Sequence, residues 1–281
     1  MLVKLTKMTN FLQRTITGAI FASSIIISIL LNKWLFALLF FVFAIIGLIE
    51  IIKLSGLKFN NFEKFVTIFC GTIVYVGLVL FFYDIIDKKV LILIMLLAYI
   101  FLVLLILFFI NNINKIMSIA FILFAITYII MPLALLNYFD KIQLFIDSPK
   151  HLFLFTFFAL IWANDTGAYL VGKAIGKHQL CSKISPAKTW EGFIGAAIIT
   201  IVASVIIGNI YSFKSVVFWC TYGLLIVFSA TVGDLFESSM KRQAGVKDSG
   251  NFFKGHGGVL DRLDSVLFAT PIILIYLYFF I

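Results

Sequence analysis

Between Ser238 and Asp264 the chain sets Lys241, Arg242, Lys247, Lys254 and Arg262 beside Asp248, Asp261, Asp264, His256 and several glycines. Cations and glycine amides hold phosphate, and carboxylates hold divalent metal, so these types together suit metal-assisted phosphate chemistry. The setting strengthens the reading. The 281 residues are 63% hydrophobic and only 12% charged, and charge beside hydrocarbon is costly enough to mark a site. The His256-Gly257-Gly258 turn suits a concave array of amides facing an anion, because glycine reaches positive φ.

Other polar residues join this stretch by helical spacing. Asp234, Glu237, Ser238 and Lys241 stand at i, i+3, i+4 and i+7, which puts them on one face of a helix that cannot turn to lipid. Asp165 with Ala168, Tyr169 and Gly172 repeats the pattern, its small residues permitting close helix approach. Either acid could instead serve a plain interhelical ion pair. Ser185-Pro186-Ala187-Lys188-Thr189-Trp190-Glu191-Gly192 brings hydroxyls and a lysine to a helix start, a plausible anion site. Lys173, Lys177 and Lys183 are explained by ordinary topological charge. His178 and His151 read as bystanders. Gly167 to Lys173 imitates a P-loop, but Ala174 replaces the required hydroxyl and the segment is an apolar helix rather than a strand–loop junction.

The elements that must position these residues are membrane helices. A mean hydropathy of +1.14 lies outside the soluble range. Apolar stretches at about 15–31, 34–52, 66–83, 90–110, 116–139, 151–171, 190–208, 216–240 and 263–281 give nine expected spans, each near the roughly 20 residues a crossing needs. Only helices satisfy the backbone there, since the alternation of a barrel is missing. The basic N-terminus before 17–31 resembles a signal peptide but reads as an uncleaved first span. Cys70, Cys181 and Cys220 show no paired spacing and read as isolated apolar residues.

The net charge of +9 points to topology and anionic headgroups rather than nucleic acid. With the N-terminus inside, only Lys33, Lys88, Lys89, Lys141, Lys150 and Lys214 fall outside, leaving sixteen of the 22 Lys and Arg on the inner face. The expected topology is therefore N-terminus cytoplasmic. It gathers Asp165, Glu191, Asp234, Glu237 and the loops 172–189 and 241–262 on that face. Residues 1–150 read as transmembrane scaffold and 151–281 as the catalytic region.

Residues 238–264 resemble the signature of phosphatidate cytidylyltransferases (CDP-diacylglycerol synthases). The matching residues are Ser238, Lys241-Arg242, Lys247-Asp248, His256-Gly257-Gly258 and Asp261-Arg262-Leu263-Asp264. The resemblance extends upstream to Gly233–Ser238, to Ser185–Gly192, and to Asn164-Asp165 with Ala168-Tyr169, so it spans about 162–265. Lys254 departs from the usual proline or glycine. The resemblance implies CTP and phosphatidate as substrates, CDP-diacylglycerol and pyrophosphate as products, and dependence on Mg²⁺, with a second metal ion open. It implies Asp234 and Asp261 as metal ligands, with Asp165 and Asp264 as further ones. Lys241 and Arg262 would act in catalysis. Ser185, Lys188, Thr189, Ser238, Arg242, Lys247, Asp248, His256, Gly257 and Gly258 would bind substrate. It further implies the inner membrane as location, and a homodimer as one assembly open to the chain.

Phosphate attacking phosphate faces charge repulsion, so cations and metal suffice and no general base is expected. A CTP-dependent polyprenol or phytol kinase is the nearest rival. A CDP-alcohol phosphotransferase lacks its Asp-Gly-x-x-Ala-Arg opening here. A transporter would set its acids near mid-membrane between repeats.

Overall fold

The computed structural model describes residues 2–57, 59–109, 115–141, 151–252 and 257–280. The fold is all-α and polytopic. Helices occupy all nine apolar stretches: α1 (Leu2–Leu31), α2 (Lys33–Leu54), α3 (Asn61–Phe82), α4 (Lys88–Phe109), α5 (Lys115–Ala125) running into α6 (Met131–Leu135), α7 (Leu152–Ile175), α8 (Trp190–Ile210), α9 (Val216–Gln243) and α10 (Leu260–Phe280). Among the described residues, seven helical segments are long and apolar enough to cross a membrane, whereas Thr15–Leu31 is apolar but shorter. Between α5 and α6 the helix widens into one π-turn at Ile126–Ile130. Pro132 follows directly; it lacks an amide and clashes with the preceding turn, which a wider turn relieves.

The chain divides into two compact units, Met1–Tyr138 with Ala244–Arg262, and Phe139–Gln243 with Leu263–Ile281. In the first, a buried hydrogen-bond network ties the apolar helices. Tyr83 Oη donates to Lys33 O at 2.6 Å and meets Asn137 Oδ1 at 2.8 Å, while Tyr75 Oη donates to Ala37 O at 2.8 Å. In hydrocarbon such groups need partners, and each one found fixes a helix pair.

In the second unit, α7, α8 and α9 approach closely over small residues. A Cβ added to Gly192 would lie 2.8 Å from Ala168 O, so only glycine lets α8 start this close to α7. Ser204 Oγ donates to Trp219 O at 2.7 Å, joining α8 to α9. An aromatic cluster of Phe153, Phe218, Trp219, Tyr222 and Tyr276 fills the space near the start of α9.

The stretch 172–189, read from sequence as a loop, holds the last turn of α7 and an antiparallel hairpin of β1 (Gln179–Cys181) and β2 (Ser185–Thr189). Strands this short carry no alternation long enough to be seen in sequence. Their placement comes from Glu191, whose carboxylate accepts the amides of Lys177 at 3.1 Å and His178 at 3.2 Å and meets His178 Nδ1 at 2.6 Å. His178 is thus an anchor of the hairpin rather than a bystander.

Candidate active site

The hairpin leads β2 directly into α8. Thr189 caps that helix, its Oγ1 accepting the Gly192 amide at 3.1 Å. Placing β2 against α7 and α9 leaves a cavity of about 340 Å³. Asn164, Asp165, Ala168 and Tyr169 of α7 line it, with Ser185, Ala187, Lys188 and Thr189 of β2, Gly192, Phe193 and Ala196 of α8, and Ala230, Thr231 and Asp234 of α9. Its walls are therefore a carboxylate pair, a lysine and hydroxyls over an apolar floor, the composition expected of a small-molecule site.

Within it, Lys188 and Asp234 form an ion pair, with 26% and 34% of their side chains exposed. Ser238 Oγ, one turn along α9, donates to Asp234 Oδ1 at 3.3 Å. Asp165 is exposed and receives Asn164 Nδ2 at 3.4 Å. Asn164 itself is only 4% exposed, and its Oδ1 has no hydrogen-bond partner among the described residues. Such a buried orphan acceptor is rare in a finished core and common beside a ligand site.

Deeper on the α9 stripe, Lys241 Nζ donates to Glu237 Oε2 at 2.7 Å, with 12% and 0% of the side chains exposed. Arg242 Nε donates to Ile184 O at 3.3 Å, joining the end of α9 to the hairpin. Asp264, half-buried on α10, lies in the electrostatic field of Asp234, Glu237 and Asp165. Gly233 makes room for it: an added Cβ there would stand 2.4 Å from Asp264 O.

This set carries four carboxylates against Lys188 and Lys241. A divalent cation would offset the excess, and the hard oxygen donors suit Mg²⁺. Among the described residues, no three His, Cys, Asp or Glu side chains converge into a ready-made cage. Mg²⁺ sites commonly use one or two carboxylates and complete their shell with substrate phosphates and water, so Asp165, Asp234 and Asp264 fit as donors.

The signature segment of the other unit is built differently. Asp261 Oδ2 accepts the Ser249 amide at 2.8 Å, Ser249 Oγ at 2.9 Å and the Gly258 amide at 2.7 Å. Gly257 sits at φ +83°, and a Cβ there would meet Asp261 Oδ2 at 2.4 Å. The Gly258 amide, expected from sequence to face an anion, already faces this internal carboxylate. Lys247, Asp248 and Arg262 are exposed. His256 and Lys254 lie outside the described residues.

The structure thus brings together Asp165, Lys188, Asp234, Ser185 and Thr189 at one cavity, with Ser238 supporting Asp234. Sequence reasoning did not single out Asn164 or Thr231 as site residues. Thr231 stands three residues before Asp234, so extending the helical stripe backwards would have found it.

A cytidylyltransferase family model matches residues 12–280. Over 271 residues, 92% of this chain and 96% of the relative, the chain is 35% identical to a phosphatidate cytidylyltransferase of Staphylococcus aureus (strain COL). Another, of Bacillus subtilis (strain 168), is 33% identical over 285 residues, 97% of this chain and 98% of its own length. A third, of Haemophilus influenzae, is 43% identical over 148 residues, half of this chain.

Proposed function

The chain belongs to the cytidylyltransferase family, and from that premise we propose that it makes CDP-diacylglycerol from CTP and phosphatidate. A phosphate oxygen of phosphatidate bonds to the α-phosphorus of CTP, the bond to the bridging oxygen breaks, and pyrophosphate leaves. The observation that carries this reading is the half-exposed Lys188–Asp234 pair in a cavity between helices. It supports the reading because a lysine suited to phosphate stands beside a carboxylate suited to a metal ion.

In this reading Lys188, Ser185 and the orphan Oδ1 of Asn164 bind and orient the nucleotide, while Arg242 supplies a further cation for its phosphates. Asp234, Asp264 and Asp165 would hold Mg²⁺, which when bound neutralises phosphate charge and favours in-line displacement. Lys241 keeps the deep Glu237 paired. Asp261, with Oδ2 committed to Ser249 and Gly258, acts on the site by shaping the signature segment. The N-terminus lies in the cytoplasm, as the bias of Lys and Arg supports, and the membrane is the inner one of a bacterium, as the bacterial relatives suggest.

Product analysis tests the reaction, using detergent-purified protein with CTP, phosphatidate and Mg²⁺, with and without EDTA. The expected products are CDP-diacylglycerol and equimolar pyrophosphate, lost on chelation. Release of CDP with a phosphorylated isoprenoid alcohol, and no reaction of phosphatidate, would replace the proposal by a kinase.

A further inference from the structure

Glu50 belongs to α2, in the half of the chain that its composition marks as plain scaffold. It is 4% exposed, a position at which a carboxylate survives only if it is well bonded. Its bonds all reach into the signature segment. Oε1 accepts the Val259 amide at 3.0 Å, and Oε2 accepts the Leu260 amide at 2.9 Å and Ser249 Oγ at 3.1 Å.

Val259 leads into α10 and Leu260 begins it, where amides have no partner within the helix. A local side chain normally caps such a start. Here the cap comes from another helix, about two hundred residues earlier, and being charged it makes stronger bonds than a neutral one. Ser249 extends the contact, since its single hydroxyl bridges Glu50 Oε2 and Asp261 Oδ2.

The glycines of the segment are fitted to the same carboxylate. A Cβ on Gly250 would stand 2.4 Å from Glu50 Oε1, and the other nearest atoms are also Glu50's. A Cβ on Gly258 would meet Glu50 Oε2 at 2.4 Å. On α2 itself, Gly47 admits the Leu260 side chain, with Cδ2 3.3 Å from a Cβ placed there.

We infer that Glu50 is a positioning residue for the cytidylyl transfer, tethering Ser249, Gly258, Val259 and the first turn of α10 in the geometry that turnover needs. Its effect passes through Ser249, Asp261 and the α10 amides rather than through contact with substrate. The inference rests on the proposed assignment of that segment to the active site.

The test combines hydrogen–deuterium exchange, kcat and KM for CTP, and thermal unfolding on the full chain in detergent. It compares the wild type with Glu50→Ala, Gly250→Ala and the double variant. Exchange in Glu50→Ala should quicken over 244–262 alone, with the unfolding temperature of the bundle kept. Misplacing a site element by an ångström costs about a hundredfold, so kcat should fall by about ten- to a hundredfold. KM for CTP should change by less than about threefold, because Lys188 and Ser185 are untouched. Gly250→Ala should be harmful in the wild type and nearly silent once Glu50 is Ala, since the atoms it strikes are gone.

Unchanged exchange over 244–262, or additive losses in the double variant, overturns the tether and leaves the site assignment standing. A loss of kcat that only follows general unfolding overturns it too. Faster exchange with unchanged kcat removes the positioning role and counts against placing the segment in the active site. If Glu50→Ala does not fold, Glu50→Gln and Gly250→Ala disturb the same contact more gently and are read by the same criteria.

Discussion

The cavity between α7, β2, α8 and α9 and the segment 244–262 are both polar, yet they hold their polar groups in opposite states. In the cavity Lys188 and Asp234 are paired but remain 26% and 34% exposed, and Asp165 is exposed. At the segment two carboxylates are turned to backbone instead: its own Asp261 and Glu50 of α2 accept its amides, and Ser249 is only 5% exposed, while Asp248 stays exposed. The first arrangement keeps charge within reach of solvent, as the proposed phosphate contact requires. The second turns charge into shape. Substitutions in the cavity should therefore alter chemistry with folding intact, and those in the segment should alter conformation first.

The largest effect should come from Asp234→Asn, which keeps the shape and removes the charge facing Lys188. Turnover should fall by at least about 10²–10³-fold, the size of losing one preorganised electrostatic group, with an unchanged unfolding temperature. Near-normal rates would break the comparison at its cavity end.

Lys241→Met probes the boundary between the two behaviours, because the Lys241–Glu237 pair is charged yet buried. Breaking this buried pair from one side should cost about 3–5 kcal/mol of stability. Adding Glu237→Gln should recover most of that. Recovery of turnover to the wild-type rate in the double variant would show that Lys241 has no part in holding phosphate.

Gly257→Ala sharpens the other side. A left-handed position denied to L side chains costs about 1–3 kcal/mol, and the added Cβ also strikes Asp261. The expected result is local loosening, seen as faster amide exchange around 249–261, with reduced turnover. Thr189→Ala should do least: loss of the α8 cap costs about 1 kcal/mol. Its turnover reports whether the hydroxyl also touches nucleotide, since a cap alone would leave KM for CTP unchanged.

Much of this was legible beforehand where physics is local. Hydropathy located each helical stretch, because crossing lipid demands about twenty apolar residues in a row. Helical spacing put Asp234, Ser238 and Lys241 on one stripe, and the structure keeps Ser238 bonded to Asp234 and Lys241 to Glu237. The hairpin was not legible: three- and five-residue strands leave no periodic trace. Nor was the double use of Thr189, whose hydroxyl caps α8 as well as lining the cavity.

The sequence by itself determined that this is a polytopic helical protein whose C-terminal half carries the polar signature of its family, because burial in lipid and helical periodicity act between near neighbours. Only the tertiary structure decided that Lys188 meets Asp234, that His178 and Glu191 hold the hairpin, and that Glu50 caps α10 from 210 residues away. A hydrogen bond between distant residues has no period to betray it. It exists only once packing has brought a donor and an acceptor together out of water.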